Sequence, residues 1–212
     1  MYAALATRPD IAYALSVISQ YSSNPGEVHW KAAKRLLRYL QGTANLSLLF
    51  EADPESGVSV VGYADADWAG DHDTRRSQSG YTYAVGGGTI SWASKKQKTV
   101  ALSSCEAEYI SASLAAQEAI WLRRLVSELG YEQPCVTIYE DNTSAIDVSR
   151  NPKFHSRMKH VDIRHHFLRD CVEEGRLVLK YIRSEEQVAD ILTKGLPREK
   201  FEYLRDKLGV KV

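Results

Sequence analysis

The sequence predicts an α/β fold in which helices pack on both faces of a mixed five-stranded sheet. Three segments with strand character follow one another between residues 58 and 94, a pattern typical of an antiparallel meander. After the meander, helices alternate with two further strands, and this alternation predicts parallel pairing. Residues 10–41 have helical patterns only, so a small helical segment precedes the sheet.

Local signals place the elements in order along the 212 residues. Asp10 could cap a first helix, and a second helix runs from about Val28 until Gly42 stops it. Residues 53–57 form a loop, so we predict a helical unit at 1–52, a main domain at 53–196 and a helical tail at 197–212. Within the main domain the predicted strands are 58–65, 80–85, 89–94, 135–139 and 177–182, and the predicted helices are about 103–129, 142–149, 158–174 and 185–194.

Composition excludes several classes of protein. Lys+Arg and Asp+Glu are both 27, and this balance argues against binding a polyanion through net charge alone. No apolar run approaches the ~20 residues that span a bilayer, and the first residues lack a secretory pattern. The three cysteines, Cys105, Cys135 and Cys171, are far apart in sequence, as expected of reduced thiols inside a cell.

Two predicted strands end with the same arrangement of a tyrosine and an aspartate. Asp65 stands two residues after Tyr63, and Asp141 stands two residues after Tyr139. The period of two places each pair on one strand face, and neighbouring parallel strands would bring both aspartates to one crevice. The alternative is that Asp141 caps the next helix and Asp65 starts a turn.

The long predicted helix adds a third carboxylate. Steps of four and three from Glu108 give an apolar stripe, so Glu108 lies at the head of the face that packs on the sheet. Glu106 points to a different face, and the glutamates could instead serve only the helix dipole above a cap at Ser103 and Ser104. Periodicity alone makes Asp190 a solvated residue.

Crowded carboxylates repel one another unless cations neutralise them. Oxygen ligands suit Mg²⁺ or Mn²⁺, and a pair of such ions roughly 3.5–4 Å apart supports phosphodiester cleavage. Glycoside hydrolysis also uses carboxylates, but it requires only two. The pattern therefore favours metal-assisted hydrolysis.

Seven segments resemble the ribonuclease H domain of copia-type retrotransposon Pol polyproteins, together covering roughly residues 58–196. They are GYADADWAG (62–70), RRSQSGY (75–81), SWASKKQ (91–97), SSCEAEY (103–109), DNTSAI (141–146), KHVDIR (159–164) and QVADILTK (187–194). Residues 1–50 resemble the end of the preceding reverse transcriptase, whose metal-binding Tyr-x-Asp-Asp motif is absent. The resemblance thus implies an RNA–DNA hybrid as substrate and the reverse transcriptase of the same polyprotein as partner.

The family site holds two Mg²⁺ ions (Mn²⁺ can substitute) on four acidic residues. By position these are Asp65, Glu108, Asp141 and Asp190, with Asp67 as an alternative first ligand. The resemblance therefore places Asp190 in the site against its periodicity. The loop 184–187 lacks the mobile histidine of many cellular relatives. The resemblance further implies a cytoplasmic location within virus-like particles of the parent element.

Several other polar residues are candidate substrate contacts. Five basic residues near the predicted site are candidate phosphate contacts, with a solvated basic turn as the alternative: Lys95, Lys96, Lys98, Arg75 and Arg76. Ser104 and Asn142 are candidates for contacting the 2′-hydroxyl that distinguishes RNA from DNA.

Other residues favour structural roles. Histidines 155, 160, 165 and 166 lack zinc-ligand spacing, and Trp68, Trp92 and Trp121 are predicted to be core residues.

The leading hypothesis is a metal-dependent ribonuclease that acts on RNA–DNA hybrids. The competing hypothesis is a catalytically silent module that binds the hybrid for a polymerase. An integrase of the same fold superfamily is weaker, because it would place two of its carboxylates much later in the chain.

Overall fold

A computed structural model describes residues 1–51, 58–150 and 162–212, with side chains from residue 166 onward in the last range. The central sheet has the order β4-β3-β2-β5-β6. Its strands are β2 (Val61–Asp67), β3 (Gln78–Val85), β4 (Gly88–Lys96), β5 (Val136–Glu140) and β6 (Leu177–Tyr181). Strands β2, β3 and β4 pair antiparallel, whereas β5 pairs parallel to β2 and β6 parallel to β5. The predicted ribonuclease H-like sheet, three antiparallel strands followed by two parallel ones, is confirmed.

The helices occupy both faces of this sheet, as predicted. They are α1 (Tyr2–Ala6), α2 (Ala12–Ser19), α3 (Glu27–Gly42), α4 (Ser104–Glu128), α5 (Thr143–Arg150), α6 (Asp162–Glu173) and α7 (Arg198–Lys207). Strands β1 (Ser47–Leu48) and β7 (Val210–Lys211) form a separate antiparallel pair. Among the described residues, none of the helices combines the length and apolar character needed to cross a membrane.

The main core lies between the sheet and α4. Alanines 112, 115, 116 and 119 of α4 are fully buried in one cluster with Ala64 and Ile138 of the sheet and with Val60, which directly precedes β2. Side chains as small as alanine allow the helix backbone to approach the strands closely, so the first turn of α4 reaches the end of the sheet. The stripe predicted from Glu108 through Val126 is buried, whereas its last residue, Leu129, is 67% exposed.

A second core on the opposite face joins the two ends of the chain to the sheet. Tyr63 and Trp92 of the sheet pack there with residues from α2, β1, α7 and β7. Trp92 Nε1 also donates to the carbonyl of Ala4 at 2.8 Å. Both segments that flank the main domain thus contact the central sheet through this core. The domain boundaries at residues 53 and 197 remain a prediction.

The expected cap at Asp10 is wrong. Asp10 lies in a 3₁₀ turn (Pro9–Ile11), and no side chain caps α2. Its carboxylate instead pairs with Arg8 at 2.8 Å and accepts from Tyr39 Oη at 2.6 Å. A buried carboxylate requires hydrogen-bond and ionic partners, and Arg8 and Tyr39 supply them to Asp10.

The helix predicted at 185–194 is also different in the structure, where the chain forms two 3₁₀ turns, Ser184–Glu186 and Val188–Leu192. Gln187 separates them in an extended conformation. Its buried side chain donates to the carbonyl of Ala64 in β2 at 2.9 Å and accepts from Ala189 N at 3.3 Å. These hydrogen bonds tie the turn to the sheet and interrupt the helix.

Candidate metal centre

The candidate site lies at the carboxyl ends of β2 and β5, which pair in parallel. Tyr63 and Tyr139 are partners in the register, and their rings stack with centroids 5.3 Å apart. Asp65 and Asp141 stand two residues beyond this pair, so both reach the carboxyl end of neighbouring strands. Asp65 is only 2% exposed, whereas Asp141 is partly exposed. The juxtaposition expected from the repeated tyrosine and aspartate pattern is therefore present.

Helix α4 delivers the third carboxylate. Ser103 caps the helix by accepting from Glu106 N at 3.2 Å, and Glu106 in turn accepts from Leu102 N at 2.8 Å. Glu108 follows one half-turn later on the face toward the sheet and is 7% exposed. One carboxylate oxygen from each of Asp65, Glu108 and Asp141 lies within 4.8 Å of the others. Three distant sequence segments thus converge at one point.

This convergence disturbs the ionisation of the acids. Burial, and then the neighbouring carboxylates, raise the pKa of Glu108 to about 11. Burial also raises the pKa of Asp65 to about 7, with Lys194 opposing this shift. With all of these acids ionised, the site would carry a large negative charge. The raised pKa values show that the protein's own positive groups do not balance that charge.

Glu140 is a further buried carboxylate near these three, and the prediction from the sequence did not include it. It is fully buried, and its Oε1 accepts from Asn142 N at 3.2 Å. Its Oε2 has no hydrogen-bond partner among the described residues, and burial raises its pKa well above the ordinary value. The alternation of β5 contained the signal, since Val136, Ile138 and Glu140 share the buried face toward α4.

Asp190 is buried beside the three acids, so the solvated position expected from periodicity is wrong. Its Oδ1 lies 2.7 Å from Lys194 Nζ, and its Oδ2 lies 2.6 Å from Lys200 Nζ. Lys194 Nζ also lies 3.9 Å from Asp65 Oδ2, which further accepts from Thr193 Oγ1. Asp190 thus lies close to Asp65 but outside the group formed by Asp65, Glu108 and Asp141, and its role as a metal ligand stays a prediction.

Asp67, the alternative first ligand, also stays outside this group. A Cβ added to Gly70 would lie 1.8 Å from Asp67 Oδ2, so the carboxylate lies directly over the Gly70 backbone. Burial raises its pKa, while Lys194 lowers it. The geometry therefore favours Asp65 over Asp67 as the partner of Glu108 and Asp141.

Asn142 caps α5, the role that the alternative interpretation assigns to Asp141. Asn142 Oδ1 accepts from Ala145 N at 3.1 Å, the usual geometry of a helix cap. Asp141 is consequently not used at the helix end, and its Oδ2 accepts from Ser184 Oγ at 2.6 Å. Similarly, Ser103 rather than Ser104 caps α4, and Ser104 is exposed. Contacts of Ser104 and Asn142 with a 2′-hydroxyl remain predictions.

The candidate phosphate contacts divide into two kinds. Lys96 forms an ion pair with Asp71. The other four are exposed: Lys95, Lys98, Arg75 and Arg76. Exposed basic side chains are available to a phosphate backbone, whereas Lys96 would first have to leave its carboxylate partner.

Two of the three tryptophans are not in the core. Trp68 is 50% exposed and Trp121 is 55% exposed, whereas Trp92 packs as predicted. Trp68 Nε1 donates to the carbonyl of Ala101 at 3.1 Å, which satisfies its polar end at the surface. Of the four histidines, only His166 has a described side chain, and it is exposed beside Arg169. His155 and His160 lie outside the described residues, as does the side chain of His165.

The group of three fits a divalent cation. All the available donors are carboxylate oxygens, the ligands that Mg²⁺ and Mn²⁺ prefer. In addition, the buried Glu108 Oε2 has no hydrogen-bond partner in the described part of the chain. A buried acceptor without a donor is costly, and a bound cation would supply the missing interaction. Asp65, Glu108 and Asp141 are therefore the residues that would hold an ion.

The sequence matches polyproteins of mobile elements over almost its whole length. It is 48% identical over 210 residues to the retrovirus-related Pol polyprotein from transposon TNT 1-94 of Nicotiana tabacum. The aligned region covers 99% of this chain and 16% of that protein. It is 45% identical over 206 residues to the retrovirus-related Pol polyprotein from transposon RE1 of Arabidopsis thaliana, covering 96% of this chain and 14% of that protein. The chain thus spans a small part of these relatives.

Two other comparisons cover less of the chain. Secreted RxLR effector protein 161 of Plasmopara viticola is 54% identical over 122 residues, which is 58% of this chain and 84% of that protein. The solved N-terminal RNase H domain of rv2228c from Mycobacterium tuberculosis aligns with 71% of this chain and 98% of that one, at 11% identity and a TM-score of 0.46. No known family model matches the sequence. The fold assignment rests on the strand order and register described above.

Proposed function

This chain belongs to the family of retrovirus-related Pol polyproteins from transposons, and we propose that it hydrolyses the RNA strand of RNA–DNA hybrids with the help of a divalent metal ion. The observation that carries the proposal is the convergence of Asp65, Glu108 and Asp141 within 4.8 Å at the carboxyl ends of two parallel strands. That edge of an α/β sheet is where ligands bind.

We assign the roles as follows. Asp65, Glu108 and Asp141 would hold the cation, which when bound would supply Lewis-acid activation of water and stabilisation of charge on the leaving oxygen. Ser184 and Thr193 orient the carboxylates of Asp141 and Asp65 through hydrogen bonds. Asp190 is the fourth catalytic carboxylate implied by the resemblance, which also implies two ions.

We assign binding of the hybrid to the exposed basic residues. Arg75, Arg76, Lys95 and Lys98 would contact phosphates and position the duplex without reading its sequence. The reverse transcriptase of the same polyprotein is the proposed partner, and its reaction is the source of the hybrid. We accordingly place the activity within the element's virus-like particles.

The test is cleavage of an RNA–DNA hybrid labelled on its RNA strand, at millimolar Mg²⁺. Asp141→Asn removes one carboxylate charge and should lower cleavage roughly 100-fold, since metal affinity depends on each ligand. Asp147→Asn is the matched control, because Asp147 is exposed on α5 just beyond the site.

Two results would contradict the proposal. One is a folded wild-type chain that binds the hybrid without cleaving it, which would identify the silent binding module instead. The other is cleavage that is unchanged in Asp141→Asn or unaffected by chelation of the metal.

A further inference from the structure

Asp190 is surrounded by positive charge rather than open to a cation. Lys194 Nζ lies 2.7 Å from its Oδ1, and Lys200 Nζ lies 2.6 Å from its Oδ2. Asp190 is 1% exposed, so solvent does not reach its carboxylate to replace either lysine. Each oxygen that would serve as a metal ligand thus has an ammonium group at ion-pair distance. Oδ2 is hydrogen-bonded to Lys200, whereas Oδ1 has the Lys194 charge beside it but no hydrogen-bond partner among the described residues.

Lys194 is also placed between Asp190 and the group of three acids. Its Nζ is 3.9 Å from Asp65 Oδ2 in addition to its contact with Asp190. The same Asp65 oxygen accepts from Thr193 Oγ1, the residue preceding Lys194. A cation shared by Asp65 and Asp190 would have to lie where this ammonium group lies.

Lys200 is held in place independently of Lys194. Besides Asp190, it donates to the carbonyl of Ser184 at 3.1 Å, and the hydroxyl of Ser184 donates to Asp141. Lys200 therefore belongs to a chain of contacts that ends at the proposed metal ligands. Loss of Lys194 alone would release only Oδ1 of Asp190, the oxygen on the side of Asp65.

We propose that the Lys194 ammonium group takes the place of a second divalent cation, so that this chain binds one ion, on Asp65, Glu108 and Asp141. The inference rests on the proposed function, because it assumes that these three residues hold a metal. It departs from the two ions that the family resemblance implies. Lys194 is accordingly a positioning residue, since it neutralises Asp190 and contacts Asp65.

The experiment counts bound Mn²⁺ on the full chain by calorimetry and by electron paramagnetic resonance, in which two neighbouring ions give a coupled spectrum. The wild type should bind one ion with an uncoupled spectrum. Lys194→Met, which keeps the length of the side chain but removes its charge, should bind two ions with a coupled spectrum. The added Asp190→Asn substitution should remove the second ion.

Two variants serve as controls for charge and for folding. Lys194→Arg keeps the positive charge and should bind one ion. Lys207→Met removes a lysine of α7 that lies over the Tyr203 ring, and it should also bind one ion. Circular dichroism checks that each variant is folded, and if Lys194→Met is not, the counts for the wild type and for Lys194→Arg decide.

The outcomes separate this inference from the proposed function. Two coupled ions in the wild type or in Lys194→Arg would overturn the role of Lys194 while leaving the metal-dependent activity intact. A single ion in folded Lys194→Met would also overturn it. No bound ion in the folded wild type would refute the metal centre itself, and the inference with it.

Discussion

Glu108→Gln should make the metal-free protein more stable at neutral pH, although it removes a proposed metal ligand. In the folded protein the pKa of Glu108 is about 11, against an ordinary value of 4.5. Between these two values the folded state holds a proton that the unfolded state has released. Stability therefore falls as pH rises from 4.5 toward neutrality.

The magnitude follows from the pH interval over which this proton is held. At pH 7 the interval above 4.5 corresponds to about 3 kcal/mol, at 1.36 kcal/mol per pH unit. Glutamine is neutral at every pH and keeps an oxygen that can accept from the backbone N–H of Ala66. The penalty of burying Glu140 is common to both proteins and cancels, so we expect a gain of about 1–3 kcal/mol, or roughly 2–12 °C in Tm.

Urea denaturation in the presence of a chelator measures the difference in the free energy of unfolding between the variant and the wild type. At pH 7 the difference should have the value given above, and at pH 4.5 it should fall below about 0.5 kcal/mol. With Mg²⁺ at pH 7 the order should reverse, because the ion stabilises the wild type by mass action and the variant less. Glu128→Gln, on the exposed side of the same helix, should change neither quantity. A variant less stable than the wild type at pH 7 without metal would refute the reasoning.

Three further substitutions test the elements that build the site. Ser103→Ala removes the cap that accepts from Glu106 N and should lower the free energy of unfolding by about 1 kcal/mol, whereas an unchanged Tm would contradict the capping role. Arg8→Met leaves the buried carboxylate of Asp10 without its ion pair, so we expect a loss of about 3–5 kcal/mol in urea denaturation; a loss below about 1 kcal/mol would show that the pair is dispensable. Gly62→Ala places a Cβ 2.4 Å from a tyrosine ring of the neighbouring strand, which should destabilise the fold by about 1–3 kcal/mol in thermal melts, and a neutral result would show that the ring can move.

Local patterns were sufficient to predict the sheet and the placement of three carboxylates on it. The tyrosine and aspartate pairs on β2 and β5 predicted two carboxylates on neighbouring strands, and the stacked rings of Tyr63 and Tyr139 confirm that register. The apolar stripe of α4 likewise predicted that Glu108 faces the sheet. These predictions succeed because strand alternation and helix periodicity depend on the backbone alone.

The errors occurred where contacts between distant segments decide the structure. Trp121 has the residue type of a core position, yet it is exposed because α4 turns that position away from the sheet. The predicted helix around Asp190 fails because the side chain of Gln187 bonds to β2. Glu140 was overlooked because a buried carboxylate is unexpected on an apolar strand face, although alternation placed it there.

By itself, the sequence determined the order in which strands and helices follow one another and the faces on which Asp65, Asp141 and Glu108 lie. Only the tertiary structure decided that Asp65, Glu108 and Asp141 meet while Asp190 is enclosed by two lysines. The physical reason is that an ion pair depends on distance in space. Residues 190 and 200 meet because a 3₁₀ turn and α7 pack against the same face of the sheet, and no periodicity within either segment contains that information.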